Sequence, residues 1–107
     1  MKNNQGIIGY KGRSKQKTFT VNGKIVKAVS IAGLAEYLGK SKDTLLRYEK
    51  KDFLPPSPLL VKGCRYYPLS MLQELRNYVD TFPSNRPPSP EVITGINKLF
   101  KQTIENF

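Results

Sequence analysis

Only Gly39 and Lys40 separate two stretches whose apolar residues recur at helical spacing, and that brevity constrains the chain more than any other feature. In the first stretch Ile31, Leu34, Ala35 and Leu38 fall on one face, Ser30 can accept from the free N–H groups at its start, and Gly39 closes it. In the second, Ser41 is the capping residue, Lys42 to Lys51 contain neither Pro nor Gly, and Leu45 and Tyr48 share a face. Two short helices are therefore expected to meet through a tight turn.

Prolines and glycines punctuate the rest. Leu54-Pro55-Pro56-Ser57-Pro58 stops the second helix, because proline removes backbone donors and biases its predecessor toward extended conformations. Leu59-Leu60-Val61 and Cys64-Arg65-Tyr66-Tyr67 then flank Lys62-Gly63 as a compact hairpin. After Pro68, Ser70 precedes Met71, Leu72, Leu75, Tyr78 and Val79 at steps of three and four, a third amphipathic helix. Upstream, β-favouring runs flank Asn22-Gly23 as a type I′ turn demands, giving a short hairpin over 18–28. Downstream, 83–90 reads as a stiff Pro-rich linker, and 91–107 carries Val92, Ile93, Ile96, Leu99, Phe100, Ile104 and Phe107 on one helical stripe. The pattern predicts a mainly α protein, a winged helix-turn-helix over 29–82 whose second hairpin is the wing.

A chain of 107 residues has room for one domain with arms. Its 18 Lys and Arg residues against 8 Asp and Glu give a formal charge of +10, which attracts polyanions, nucleic acid first and an acidic membrane surface second. Every acidic residue lies at Glu36 or later. Residues 1–17, rich in Asn, Gly and Lys, are expected to form a flexible basic arm in which Lys15 and Lys17 add nonspecific affinity. No segment approaches the roughly 20 apolar residues that span a bilayer, and the polar start lacks a signal peptide's apolar core, so a cytoplasmic, nucleoid-associated location without membrane attachment is expected. Cys64 is the single cysteine and histidine is absent, which leaves no internal disulfide, no Cys and His metal cage and no expected cofactor. Without a phosphate-cradling glycine loop or a tuned carboxylate cluster, the chain does not read as an enzyme.

The second helix carries the chemistry. A major groove about 12 Å wide admits one helix with its N-terminal residues at the base edges. Lys42, Asp43 and Thr44 stand at that end and Arg47 one turn later, with Lys50 beyond. Arg47 offers a bidentate fork to guanine, while Lys42 and Thr44 suit phosphates or positioning. Asp43 could accept from a cytosine amine, but stabilising the helix N-terminus is the favoured role. Glu49 and Asp52 beside Lys50 and Lys51 read as a salt-bridged surface.

Taken in order, Ser30-Ile31 through Leu38-Gly39, Thr44-Leu45-Leu46-Arg47-Tyr48-Glu49-Lys50-Lys51, Phe53-Leu54-Pro55-Pro56, Gly63-Cys64-Arg65-Tyr66-Tyr67 and Leu69-Ser70 resemble the DNA-binding domain of the MerR family over about half the chain. The resemblance implies a winged-helix fold, a second helix in the major groove, and a Gly-x-Arg-x-Tyr wing in which Gly63, Arg65 and Tyr67, next to Lys62, grip the backbone. Arg65 is the expected phosphate contact, and strand alternation sends one of Tyr66 and Tyr67 into the core. The chain departs from the family where Leu46 stands in place of its usual Arg, with Arg47 following. It departs again where a Pro-rich linker and a short terminal helix replace a long dimerising helix. The pattern is also similar to phage excisionases and small terminase subunits. The expected function is a small sequence-specific transcriptional regulator of double-stranded DNA without an effector domain. The alternative is an architectural or assembly module that docks a protein partner or a second copy through Ile93, Ile96, Phe100 and Phe107.

Overall fold

The computed structural model describes residues 15–107. In chain order the elements are β1 (Gln16–Val21), β2 (Lys24–Ser30), α1 (Ile31–Leu38), α2 (Lys42–Lys50), β3 (Leu59–Val61), β4 (Cys64–Pro68), a 3-10 turn (Leu69–Met71), α3 (Leu72–Val79) and α4 (Pro90–Glu105).

Both hairpins turn on residue pairs with positive φ, Asn22 (52°) with Gly23 (80°) and Lys62 (52°) with Gly63 (80°), the type I′ geometry that matches the twist of paired strands. The first hairpin is longer than 18–28, its register running from Gln16 opposite Val29 to Val21 opposite Lys24. β2 also pairs with β4, Ala28 opposite Pro68, Val29 opposite Tyr67 and Ser30 opposite Tyr66. With β3 on the far side of β4, one antiparallel sheet results, in the order β1-β2-β4-β3.

That sheet overturns the mainly α winged-helix expectation. Helix accounts for 48% and strand for 23% of the structure, and the sheet curls as a half-barrel against four helices. The two hairpins expected to stand apart are its two halves. The reason lies in β2, where adjacent residues Ala28 and Val29 are both fully buried, as in a strand covered on both faces. Its buried backbone groups need partners on both edges, and β4 supplies the second set. Lys17 sits in β1 opposite Ala28, and Lys15 reaches Glu36 of α1 at 3.2 Å, so both belong to the folded body and not to a flexible arm. The rest of the arm expected over 1–17 lies outside the described residues.

The helix pair forms as its caps dictate. Ser30 Oγ accepts from Gly33 N–H at 3.3 Å, and Gly39, at φ 70°, ends α1 while Lys40 N–H returns to the Ala35 carbonyl at 2.9 Å. Ser41 Oγ then accepts from Thr44 N–H at 3.1 Å to start α2. Ser70, which precedes the apolar positions of the third helix, lies within the 3-10 turn, and α3 starts without a side-chain cap. Val29, Leu34, Leu38, Leu45, Tyr67, Leu75 and Val79 form the centre of the core.

The terminal helix closes that core. Ile96 and Phe100 are fully buried, and the Phe100 ring meets Tyr67 edge-on with centroids 6.4 Å apart. Past the end of α4, Asn22 Nδ2 donates to the Phe107 carbonyl and Lys24 Nζ to that of Asn106, both at 3.1 Å, which places a cation at the helix's negative end. The surface expected at Ile93, Ile96, Phe100 and Phe107 is therefore largely internal, with Ile93 and Phe107 half-buried. Segment 83–90 is correspondingly no spacer. Phe82, directly before it, packs on Tyr48 (5.1 Å) and Phe53 (6.3 Å), and Pro88 near its end is buried. Among the described residues, no helix is long and apolar enough to cross a membrane.

Candidate nucleic-acid interface

α2 has an inward face, an outward stripe and two differently built flanks. Leu45 points into the core with Tyr48 half-buried beside it, and the opposite stripe of Asp43, Arg47 and Lys50 is exposed at i, i+4 and i+7. On one flank Glu49 meets the β3–β4 hairpin. On the other, Thr44, Arg47, Tyr48 and Lys51 line a groove of about 460 Å³ whose far wall is the segment from Phe82 to Pro88, including Arg86.

The hairpin flank is tied by a two-point ion pair. Arg65 Nε donates to Glu49 Oε1 at 2.8 Å and Nη2 to Oε2 at 3.2 Å. The hydrogen bond, then the attraction of the carboxylate, raises the Arg65 guanidinium above its ordinary range against a smaller opposing effect of burial. Arg65 thus spends its bidentate edge inside the chain, a different use from the phosphate grip expected of it.

Tyr67 is likewise removed from the surface, being 2% exposed against Phe100. Burial pushes its phenol well above the usual tyrosine range; the Glu49 carboxylate adds to that push and Arg65 opposes it. Tyr66 is buried on the opposite face, its ring 4.8 Å from Phe19. Alternation sends one tyrosine to each face, as strands require, but the curled sheet covers both faces.

The other expected residues divide. Lys42, Asp43, Arg47, Lys50 and Lys62 are exposed. Thr44 is half-buried and held by its cap, its Oγ1 2.8 Å from Ser41 Oγ. Asp43 lies in the first turn of α2, where a carboxylate meets the helix's positive end. Ion pairs among the described residues join Lys15 to Glu36, Arg65 to Glu49 and Arg76 to Asp80, and none of them engages Arg47, Lys50 or Lys62.

Two participants escaped sequence reasoning. Glu49 reads in sequence as part of a salt-bridged surface with Lys50 and Lys51, whereas its partner is 16 residues away on a strand. Arg86, a lone cation between Pro83 and Pro87, carried no periodic signal at all. No protein-family model matches the chain, and neither does any curated protein or solved structure.

Proposed function

We propose that this protein binds double-stranded DNA, laying α2 in the major groove, and acts as a small sequence-specific transcriptional regulator, associated with the nucleoid. The observation that carries the reading is the outward stripe of α2, where Arg47 and Lys50 stand exposed and outside every ion pair described, in a chain of net charge +10. A cation free of internal partners keeps its full attraction for phosphate, and an Arg one turn into a groove-lying helix can fork to guanine.

Selection of bound sequences from a random duplex pool tests it. The wild-type protein is expected to enrich one short motif, and Arg47→Ala to lose discrimination at one or two of its positions, worth about 1–3 kcal/mol per base contact. Recovery of no motif from the wild type would sink sequence-specific recognition. A motif unchanged by Arg47→Ala would move the base contact to another residue.

The hairpin tip offers a separate check. Lys62 holds the same left-handed position that Asn22 fills in the first hairpin, and a lysine there is strained where asparagine is tolerated. Lys62→Asn is expected to raise stability by about 1 kcal/mol in urea melts while weakening duplex binding. A variant that gains stability with no loss of affinity would remove Lys62 from the interface.

A further inference from the structure

The groove beside α2 brings together three cations from two distant parts of the sequence. Arg47 and Lys51 come from α2 and its C-cap, and Arg86 comes from the Pro-rich segment that follows α3. Thr44, Ser84 and Asn85 add uncharged polar groups to the lining, and no acidic side chain contributes to it. None of the ion pairs among the described residues involves these cations. Residues 1–14 contain no Asp or Glu that could neutralise them.

Arg86 is also held in place. The segment is anchored at one end by Phe82, whose ring packs on Tyr48 and Phe53, and at the other by buried Pro88, with Ser84–Arg86 bending outward between them. Flanking prolines restrict the backbone further. A cation on a tethered bend loses less freedom on binding than one on a free arm.

We infer that this groove is a backbone-phosphate site, in which Arg86 and Lys51 hold the DNA strand running alongside the groove that α2 enters. The inference deepens the DNA-binding reading and rests on it. It assigns the Pro-rich segment the part of a second clamp, on the flank of α2 opposite the β3–β4 hairpin. A phosphate is recognised here by charge and by hydroxyl and amide donors, without regard to base sequence.

The test measures binding of the full chain to a labelled random-sequence duplex across a range of salt concentrations. Each phosphate contact contributes about 0.9 to the slope of log affinity against log salt. Arg86→Gln is expected to lower the slope by about one and to weaken every duplex by a similar factor, whereas Arg86→Lys keeps the slope. Lys98→Gln, which removes an exposed cation of α4 that does not line the groove, is the control for net charge and is expected to change the slope little. An unchanged slope in Arg86→Gln, an equal fall in Lys98→Gln, or a fall in Arg86→Lys as large as in Arg86→Gln would each overturn the phosphate site while leaving DNA binding intact. Absence of wild-type binding to any duplex would overturn both readings together.

Discussion

Phe100→Ala is expected to cost the fold about 3–5 kcal/mol, the range for emptying a phenylalanine site in a core that collapses only partly. Phe100 is 2% exposed and sits against Tyr67 in the same cluster as Leu75, Val79 and Ile96. For a domain whose whole stability is about 5–15 kcal/mol, that is a large share. At about 4–8 °C per kcal/mol, thermal melts should fall by more than about 10 °C. Ile104→Ala, on the 50% exposed side of the same helix, should stay within about 0.5 kcal/mol. The comparison separates two views of α4. A helix that served chiefly to dock a partner would tolerate Phe100→Ala as well as Ile104→Ala, and a loss below about 1 kcal/mol for both would remove α4 from the core described here.

Cutting the Glu49 and Arg65 pair should couple stability to presentation of the interface. In a double-mutant cycle of Glu49→Ala and Arg65→Ala, we expect a coupling of about 1–2 kcal/mol. The geometry is two-pronged, but side-chain exposures of 35% for Arg65 and 21% for Glu49 keep it below the 3–5 kcal/mol of a fully buried pair. The same variants decide what Arg65 does. As a strut it acts only through Glu49, so both single variants should weaken duplex binding by one factor, with the double variant no worse. A salt slope lowered by Arg65→Ala and not by Glu49→Ala would return Arg65 to the phosphates.

Local chemistry was the legible part. Asn22-Gly23 favours a turn of one handedness, Gly63 marks a second turn, and Ser30, Gly39 and Ser41 cap helices that start and stop as expected. What the sequence hid depends on which distant segments meet. β2 reads as half of a hairpin because its partner in that hairpin is adjacent; its second partner, β4, lies beyond two helices and a proline run. The apolar stripe of α4 is the same on paper whether Tyr67 or another chain covers it. The outward stripe of α2 followed from periodicity, since Leu45 fixes the inward direction. Its flanks did not, because the return path past Phe82 that brings Arg86 alongside is set by ring packing among Tyr48, Phe53 and Phe82.

Ser30 joins two elements without an intervening loop. It is the last residue of β2, paired across the sheet with Tyr66, and its hydroxyl starts α1. The helix supporting α2 is thereby welded to a central strand and lacks a hinge there. Opening α1 at that end demands parting β2 from β4, so the platform and the sheet should exchange their protected amide hydrogens as one cooperative unit. A protein built this way presents α2 at one angle, and under the proposed DNA-binding function adaptation falls to the duplex, through its own bending and groove width.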